Sequence, residues 1–177
     1  MPPKLVASKK VYQGKISIRV DDYFLNNRML RAEVIQHSDS VGVIPVDDKE
    51  NVILVEQFRF APKKSLIEIP AGTIEENETP VEAALREMNQ EIGFKGKITP
   101  LLHWYLAPGY DTEKMYIFLA TDLKMVRDRL PMDEDETIQV RKMKLKTAVF
   151  ACMNGQISDC KTIAAILLVA RLNDVHQ

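Results

Sequence analysis

The stretch that decides the fold is "IPAGTIEENETPVEAALREMNQEIGF", Ile69 to Phe94, in which a loop runs into a helix loaded with carboxylates. From Thr79 onward the apolar residues Val81, Ala84, Leu85, Met88 and Ile92 recur at spacings of three and four, the period of an amphipathic helix. Thr79 suits the N-cap, Pro80 the first helical position, and Glu82 completes a capping box. Gly93 supplies the stop. On such a helix residues three and four apart share a face, so Glu87, Gln90 and Glu91 project together while Ala84, Leu85, Met88 and Ile92 face the core. A Glu-rich helix face is most often solvated surface. Two carboxylates at i and i+4 also suit a hard divalent cation such as Mg²⁺, which takes oxygen ligands and keeps several waters.

Working outward, the period changes. "KISIRVDDYFL" places Ile16, Ile18 and Val20 on one strand face, and "MLRAEVIQ" follows after the turn residues Asn26 and Asn27. "SVGVIPVD" and "NVILVEQFRF" are apolar runs rich in Val, Ile and Phe that read as buried strands. Beyond the helix, "KITPLLHWYLAP" and "KMYIFLATDL" read as strands around the loop "PGYDTE". "DEDETIQVRKMKL" is an acidic loop leading into another strand. Two helices close the chain, "KTAVFACMN" ending at Gly155 and "SDCKTIAAILLVARL" capped by Ser158 or Asp159. The pattern predicts a mixed α/β domain.

Composition narrows the partners. With 24 basic and 25 acidic residues among 177, no basic excess points to nucleic acid, and no polybasic cluster points to a membrane surface. The run Ile163 to Ala170 is too short to span a bilayer, and "MPPKLVASKK" lacks the apolar core of a signal peptide. Cys152 and Cys160 lack metal-ligand spacing and read as packing residues in a reducing, cytoplasmic setting.

Gly72, five residues, Glu78, seven residues, Arg86, Glu87, Met88, Asn89, Gln90, Glu91, Ile92, Gly93 and Phe94 resemble the Nudix hydrolase box. Six of its seven fixed identities match, and Gln90 replaces a Glu. The resemblance implies an α/β/α sandwich around a mixed β-sheet and hydrolysis of a nucleoside diphosphate linked to another group. Metal would be held at Glu87 and Glu91, with Gln90 as a further candidate ligand, and Arg86 and Glu78 would orient the carboxylates. "VEQFRF" and "IEIPAGTIE" are similar to the ADP-ribose pyrophosphatase subgroup. There the residue matching Arg59 contacts substrate and the carbonyl matching Ala71 completes the metal shell.

The same resemblance assigns a water-directing acid to "DEDETIQV", at Glu134 with Glu136 as the alternative. "APGYDTE" resembles the subgroup's Ser-Pro-Gly-x-x-x-Glu loop, which makes Glu113 a substrate-binding candidate. The family's Arg ahead of "EVIQH" is Ala32 here, with Arg31 one place off as the remaining candidate. Tyr12, Tyr23 and Phe24 are candidates for stacking on the base. His37 and His103 read as packed or surface residues.

The expected protein is a Mg²⁺-dependent (or Mn²⁺-dependent) hydrolase of ADP-ribose. Residues 1–40 would form amino-terminal strands for a homodimer, and residues 41–177 the Nudix domain. The alternatives are a hydrolase of another nucleoside diphosphate sugar or dinucleotide, or a nucleotide-binding Nudix domain with weak catalysis.

Overall fold

Asn26 and Asn27 both take positive φ, 49° and 61°, the geometry of a two-residue hairpin that matches the twist of its strands. They join β2 (Ser17–Leu25) to β3 (Arg28–Gln36), with Leu25 opposite Arg28 and Ser17 opposite Gln36. The computed structural model describes residues 2–131 and 137–175 (side chains to 173), and its chain divides into two compact units. The first comprises Met1–Asp39 with Trp104–Met115, the second Ser40–His103 with Tyr116–Gln177.

In the first unit, β1 (Lys4–Gln13) adds to β2 to give an antiparallel sheet in the order β1-β2-β3. The sequence pattern did not mark β1 as a strand, for a physical reason: all ten of its residues are exposed, so it carries no apolar alternation. Backbone pairing holds it, together with Ser8 Oγ donating to the buried Asp21 at 2.6 Å. The loop 106–113 is tied to β3 by Ile35 N–H to the Tyr110 carbonyl (2.7 Å) and Thr112 N–H to the Ile35 carbonyl (3.1 Å).

The second unit carries two sheets and the helices. β4 (Ser40–Pro45), β7 (Ala71–Thr73), β8 (Phe94–Tyr105) and β9 (Lys114–Met125) pair in the order β7-β4-β9-β8. β5 (Asn51–Arg59), β6 (Lys64–Glu68) and β10 (Ile138–Lys144) pair in the order β10-β5-β6. β4 and Val52–Val55 of β5 are buried, as expected, whereas Phe58 and Phe60 at the end of that run are exposed. Against them lies α1 (Pro80–Ile92), whose Ala83, Ala84, Met88 and Ile92 meet Val41, Val43, Ile53, Val55, Phe118 and Ala120. Full burial of a side chain such as Met88 or Ile53 stabilises by about 1.5–3 kcal/mol. α2 (Leu145–Met153) and α3 (Cys160–Val175) complete the unit. Asp159 is the residue that caps α3, accepting from Thr162 N–H at 3.0 Å.

Two expectations need correction. Val81 and Leu85 share the helical period but are exposed, Leu85 to 37%; the tightest burial falls on Ala83 and Ala84, small enough for close approach to the sheets. Cys160 is exposed rather than packed, because it opens α3 instead of lying within it; both cysteines are free. Among the described residues no helix is long and apolar enough to cross a membrane. The mixed α/β architecture read from the sequence is the one observed.

Candidate active site

Helix α1 begins as its sequence dictates. Thr79 Oγ1 accepts from Glu82 N–H, and Glu82 accepts from Thr79 N–H at 2.8 Å, closing the capping box. Gly93 ends it in the left-handed conformation at φ 71°. These two local devices set the helix register, and with it the direction of every acid on the helix.

Two of those acids are not solvated. Glu87 is 7% and Glu91 1% exposed, one helical turn apart. They face β7, whose register against β4 is set by Gly42–Ala71 and Val41–Gly72 pairs. Ala71 N–H donates to Glu91 Oε2 at 3.0 Å. Gly72 leaves the room that Glu87 occupies: a Cβ there would stand 1.9 Å from Glu87 Oε1.

Arg86 holds the remaining acids in order. Its guanidinium donates to Glu78 Oε1 (2.8 Å) and Oε2 (2.9 Å), to the Thr73 carbonyl (2.9 Å), to Glu87 Oε1 (2.6 Å) and to Gln90 Oε1 (2.9 Å). The hydrogen bonds from Arg86 hold the Glu78 carboxyl below the usual carboxylate range. The same pairing raises the Arg86 pKa, so this cation is permanent.

Arg59, at the end of β5, forms a bidentate pair with Glu68 of β6, Nε to Oε1 at 2.8 Å and Nη2 to Oε2 at 2.7 Å. Glu68 is 1% exposed and also accepts from Lys161 of α3, which pairs in turn with Asp159 at 3.0 Å. Burial pushes the Glu68 carboxyl upward, but the Arg59 hydrogen bonds and the Lys161 charge outweigh it and leave the pKa lowered. Arg59 is 39% exposed and its pKa is raised, first by the Glu68 hydrogen bonds, with Glu91 and Asp159 adding through space. Arg59 therefore feels the field of Glu91 on α1.

Neither Glu68 nor Lys161 was singled out from the sequence. The available signal was a lone acid inside the apolar segment "SLIEIP" and a lone base ahead of the apolar run of α3. Gln90 uses both ends of its amide, Oε1 toward Arg86 and Nε2 toward the Pro131 carbonyl at 3.0 Å. Arg31 lies in the first unit, exposed and paired with Asp22 at 2.9 Å. Glu113 is in that unit too, with its carboxylate 3.7 Å from His37 Nδ1. Glu134 and Glu136 fall outside the described residues.

The side-chain donors here are oxygens, two buried carboxylates, with Glu91 tied to the Ala71 N–H of β7. That chemistry fits a hard divalent cation. Among the described residues no three acidic, His or Cys side chains converge tightly enough to enclose a metal by themselves.

A family model described as NUDIX domain matches residues 36–162. The chain is 34% identical over 166 residues to the ADP-ribose pyrophosphatase of Bacillus subtilis (strain 168), spanning 92% of this chain and 90% of that one. It is 30% identical over 166 residues to the methanol dehydrogenase activator of Bacillus methanolicus, with the same two coverages of 92% and 90%. Among solved structures, a crystal structure of an ADP compounds hydrolase superposes with a TM-score of 0.88, covering 99% of this chain and 96% of that one at 22% identity. At that identity the likeness speaks for the fold.

Proposed function

The chain belongs to the Nudix family, and from that premise we propose that it is a Mg²⁺-dependent pyrophosphatase cleaving ADP-ribose to AMP and ribose 5-phosphate. The observation that carries the reading is the pair Glu87 and Glu91, buried one turn apart, Glu87 against a glycine whose missing Cβ makes its space and Glu91 against the Ala71 N–H. Buried carboxylates are costly unless hydrogen-bonded or used to hold a cation.

In this reading Glu87, Glu91 and the Ala71 carbonyl hold the metal. Gln90 is left outside that shell, since both ends of its amide are engaged elsewhere. Bound Mg²⁺ neutralises pyrophosphate charge and makes a coordinated water more acidic, and Mn²⁺ can take its place. The chain's own residues do the rest. Arg86 and Glu78 keep Glu87 aimed. Arg59 grips a phosphate, and Lys161 keeps Glu68 neutralised when the guanidinium turns toward substrate. Hydrolysis forms one P–O bond from water and breaks one P–O bond of the bridge; Glu134, or Glu136, takes the water's proton. Arg31 and Glu113 remain proposed substrate contacts.

A homodimer joined through the amino-terminal strands is part of the proposal. β1 presents ten exposed residues, Leu5, Val6, Val11 and Tyr12 among them, and such an edge is ordinarily covered. The two free thiols suit a cytoplasmic location.

The test is turnover of ADP-ribose with Mg²⁺ beside a panel of nucleotide sugars, repeated after chelation, with sedimentation of the same sample. Preferred cleavage of ADP-ribose, abolished by EDTA, is expected. Preference for another sugar nucleotide would replace the substrate, and undiminished turnover after chelation would overturn the metal role.

A further inference from the structure

Gln90 stands where the Nudix box carries Glu, and the amide does something a carboxylate cannot. We propose that Gln90 is a positioning residue that clamps the segment Arg129–Pro131 onto the last turn of α1, the helix that carries Glu87 and Glu91. The catalytic half of this inference rests on the hydrolysis proposed above.

An amide offers an acceptor at one end and a donor at the other. The two partners of Gln90 are of opposite kinds. Arg86 can only donate, and it meets Oε1 at 2.9 Å; the Pro131 carbonyl can only accept, and it meets Nε2 at 3.0 Å. Only one orientation of the amide satisfies both. Glutamate at this position keeps the Arg86 contact but turns a second oxygen toward the Pro131 carbonyl, two acceptors with no proton between them. Proline has no N–H, so this carbonyl is the one backbone hydrogen-bonding group by which residue 131 can be held.

The clamp has other members on the same turn. Asn89 Oδ1 accepts from Leu130 N–H at 3.0 Å. Arg129 donates to the Gln90 carbonyl at 2.8 Å and to the Glu91 carbonyl at 2.6 Å, two of the groups that a helix end leaves without intrahelical partners. Val126 N–H donates to the Gly93 carbonyl at 3.0 Å. Segment 126–131 is thus bonded along the end of the helix that carries Glu87 and Glu91, and Glu134 follows three residues later in the sequence. The side chains that do this, Asn89 and Gln90, occupy one variable position of the box and the single position where this chain departs from it.

The experiment compares wild type with Gln90→Glu and Gln90→Met. The first keeps length and acceptor but removes the donor, and the second removes both hydrogen bonds without adding charge. Amide hydrogen exchange reads the clamp without reference to activity: the Leu130 N–H, bonded to Asn89, should lose protection by at least about tenfold in both variants, with little change across β4 and β5. Turnover reads the positioning: kcat should fall about tenfold in both while KM stays within about twofold, because the helix end that carries Glu87 and Glu91 loses its clamp and the phosphate grip at Arg59 does not change. Unchanged protection in either variant overturns the clamp. Lost protection with unchanged kcat, or a loss confined to Gln90→Glu, overturns the positioning role and leaves a charge effect in its place. If wild type hydrolyses no nucleoside diphosphate, the functional reading fails and with it the catalytic half, while exchange still decides the clamp.

Discussion

Gly72→Ala is the sharpest perturbation this site offers. The new methyl carbon would lie 1.9 Å from Glu87 Oε1, 2.2 Å from its Cδ and 2.7 Å from Oε2. Real contacts of this kind do not fall below 3.0 Å, so the carboxylate must retreat by more than an ångström. Nothing in the backbone forbids alanine, because Gly72 does not sit in the left-handed region. The atom that must yield is the end of a flexible side chain, so the fold should survive. Loss of the Arg86–Glu87 contact costs about 1 kcal/mol, a fall of about 2–4 °C in Tm for a chain of this size. An ångström of misplacement at a reacting centre costs about 10²-fold, and that loss is expected in kcat for ADP-ribose at saturating Mg²⁺. The mechanism is isolated by a double-mutant cycle with Glu87→Gln. If alanine acts through Glu87, the double variant should be no slower than Glu87→Gln alone. Multiplicative losses, or wild-type turnover in Gly72→Ala, would refute the claim that this glycine exists to seat that carboxylate.

Glu91→Gln should lower kcat by orders of magnitude while the melt stays near wild type, read as turnover against rising Mg²⁺; near-normal turnover at saturating metal would remove Glu91 from the shell. Glu134→Gln should depress kcat far more than substrate affinity, with Glu136→Gln milder, since a group acting in the transition state leaves that signature; the reverse order would assign the role to Glu136. The Glu68 carboxyl is depressed in the folded state, so its contribution to stability is present above the ordinary carboxylate pKa of about 4.3 and is lost as pH falls through the lower folded value. Lys161→Met should cost about 3 kcal/mol at pH 7 by leaving the buried Glu68 charge with one partner fewer, and it should shrink the acid-induced fall in Tm below about pH 4. An unchanged acid limb in that variant would mean that Arg59 alone fixes the Glu68 pKa.

Helix α1 was legible because its determinants are local. Thr79, Pro80, Glu82 and Gly93 act on their own helix, and each has the role its residue type suggests. β4 and β5 were legible for a related reason, their apolar runs being longer than a half-exposed strand tolerates. β1 was not, because hydrogen bonding to β2 makes it a strand and its side chains remain in solvent. Glu68 and Lys161 are 93 residues apart, and no period relates them; only the packing of α3 beside β6 turns two isolated charges into one buried pair.

Gln90 shows the same limit at a single residue. Its departure from the box was visible at once, and read along the helix it is a missing negative charge beside Glu87 and Glu91. Read in space, it is a hydrogen-bond donor gained toward Pro131, 41 residues away. Spacing along one helix reports which side chains share a face, and nothing in it reports which segment will later pass the helix end. The two readings predict different behaviour from the same substitution. A missing charge restored by Gln90→Glu should tighten metal binding and leave segment 126–131 alone, whereas a lost donor should loosen that segment and leave metal affinity unchanged. Titration of Mn²⁺ into both proteins by calorimetry, set beside the exchange rate of the Leu130 amide, decides between them. The hydrogen bonds at both ends of the amide favour the donor.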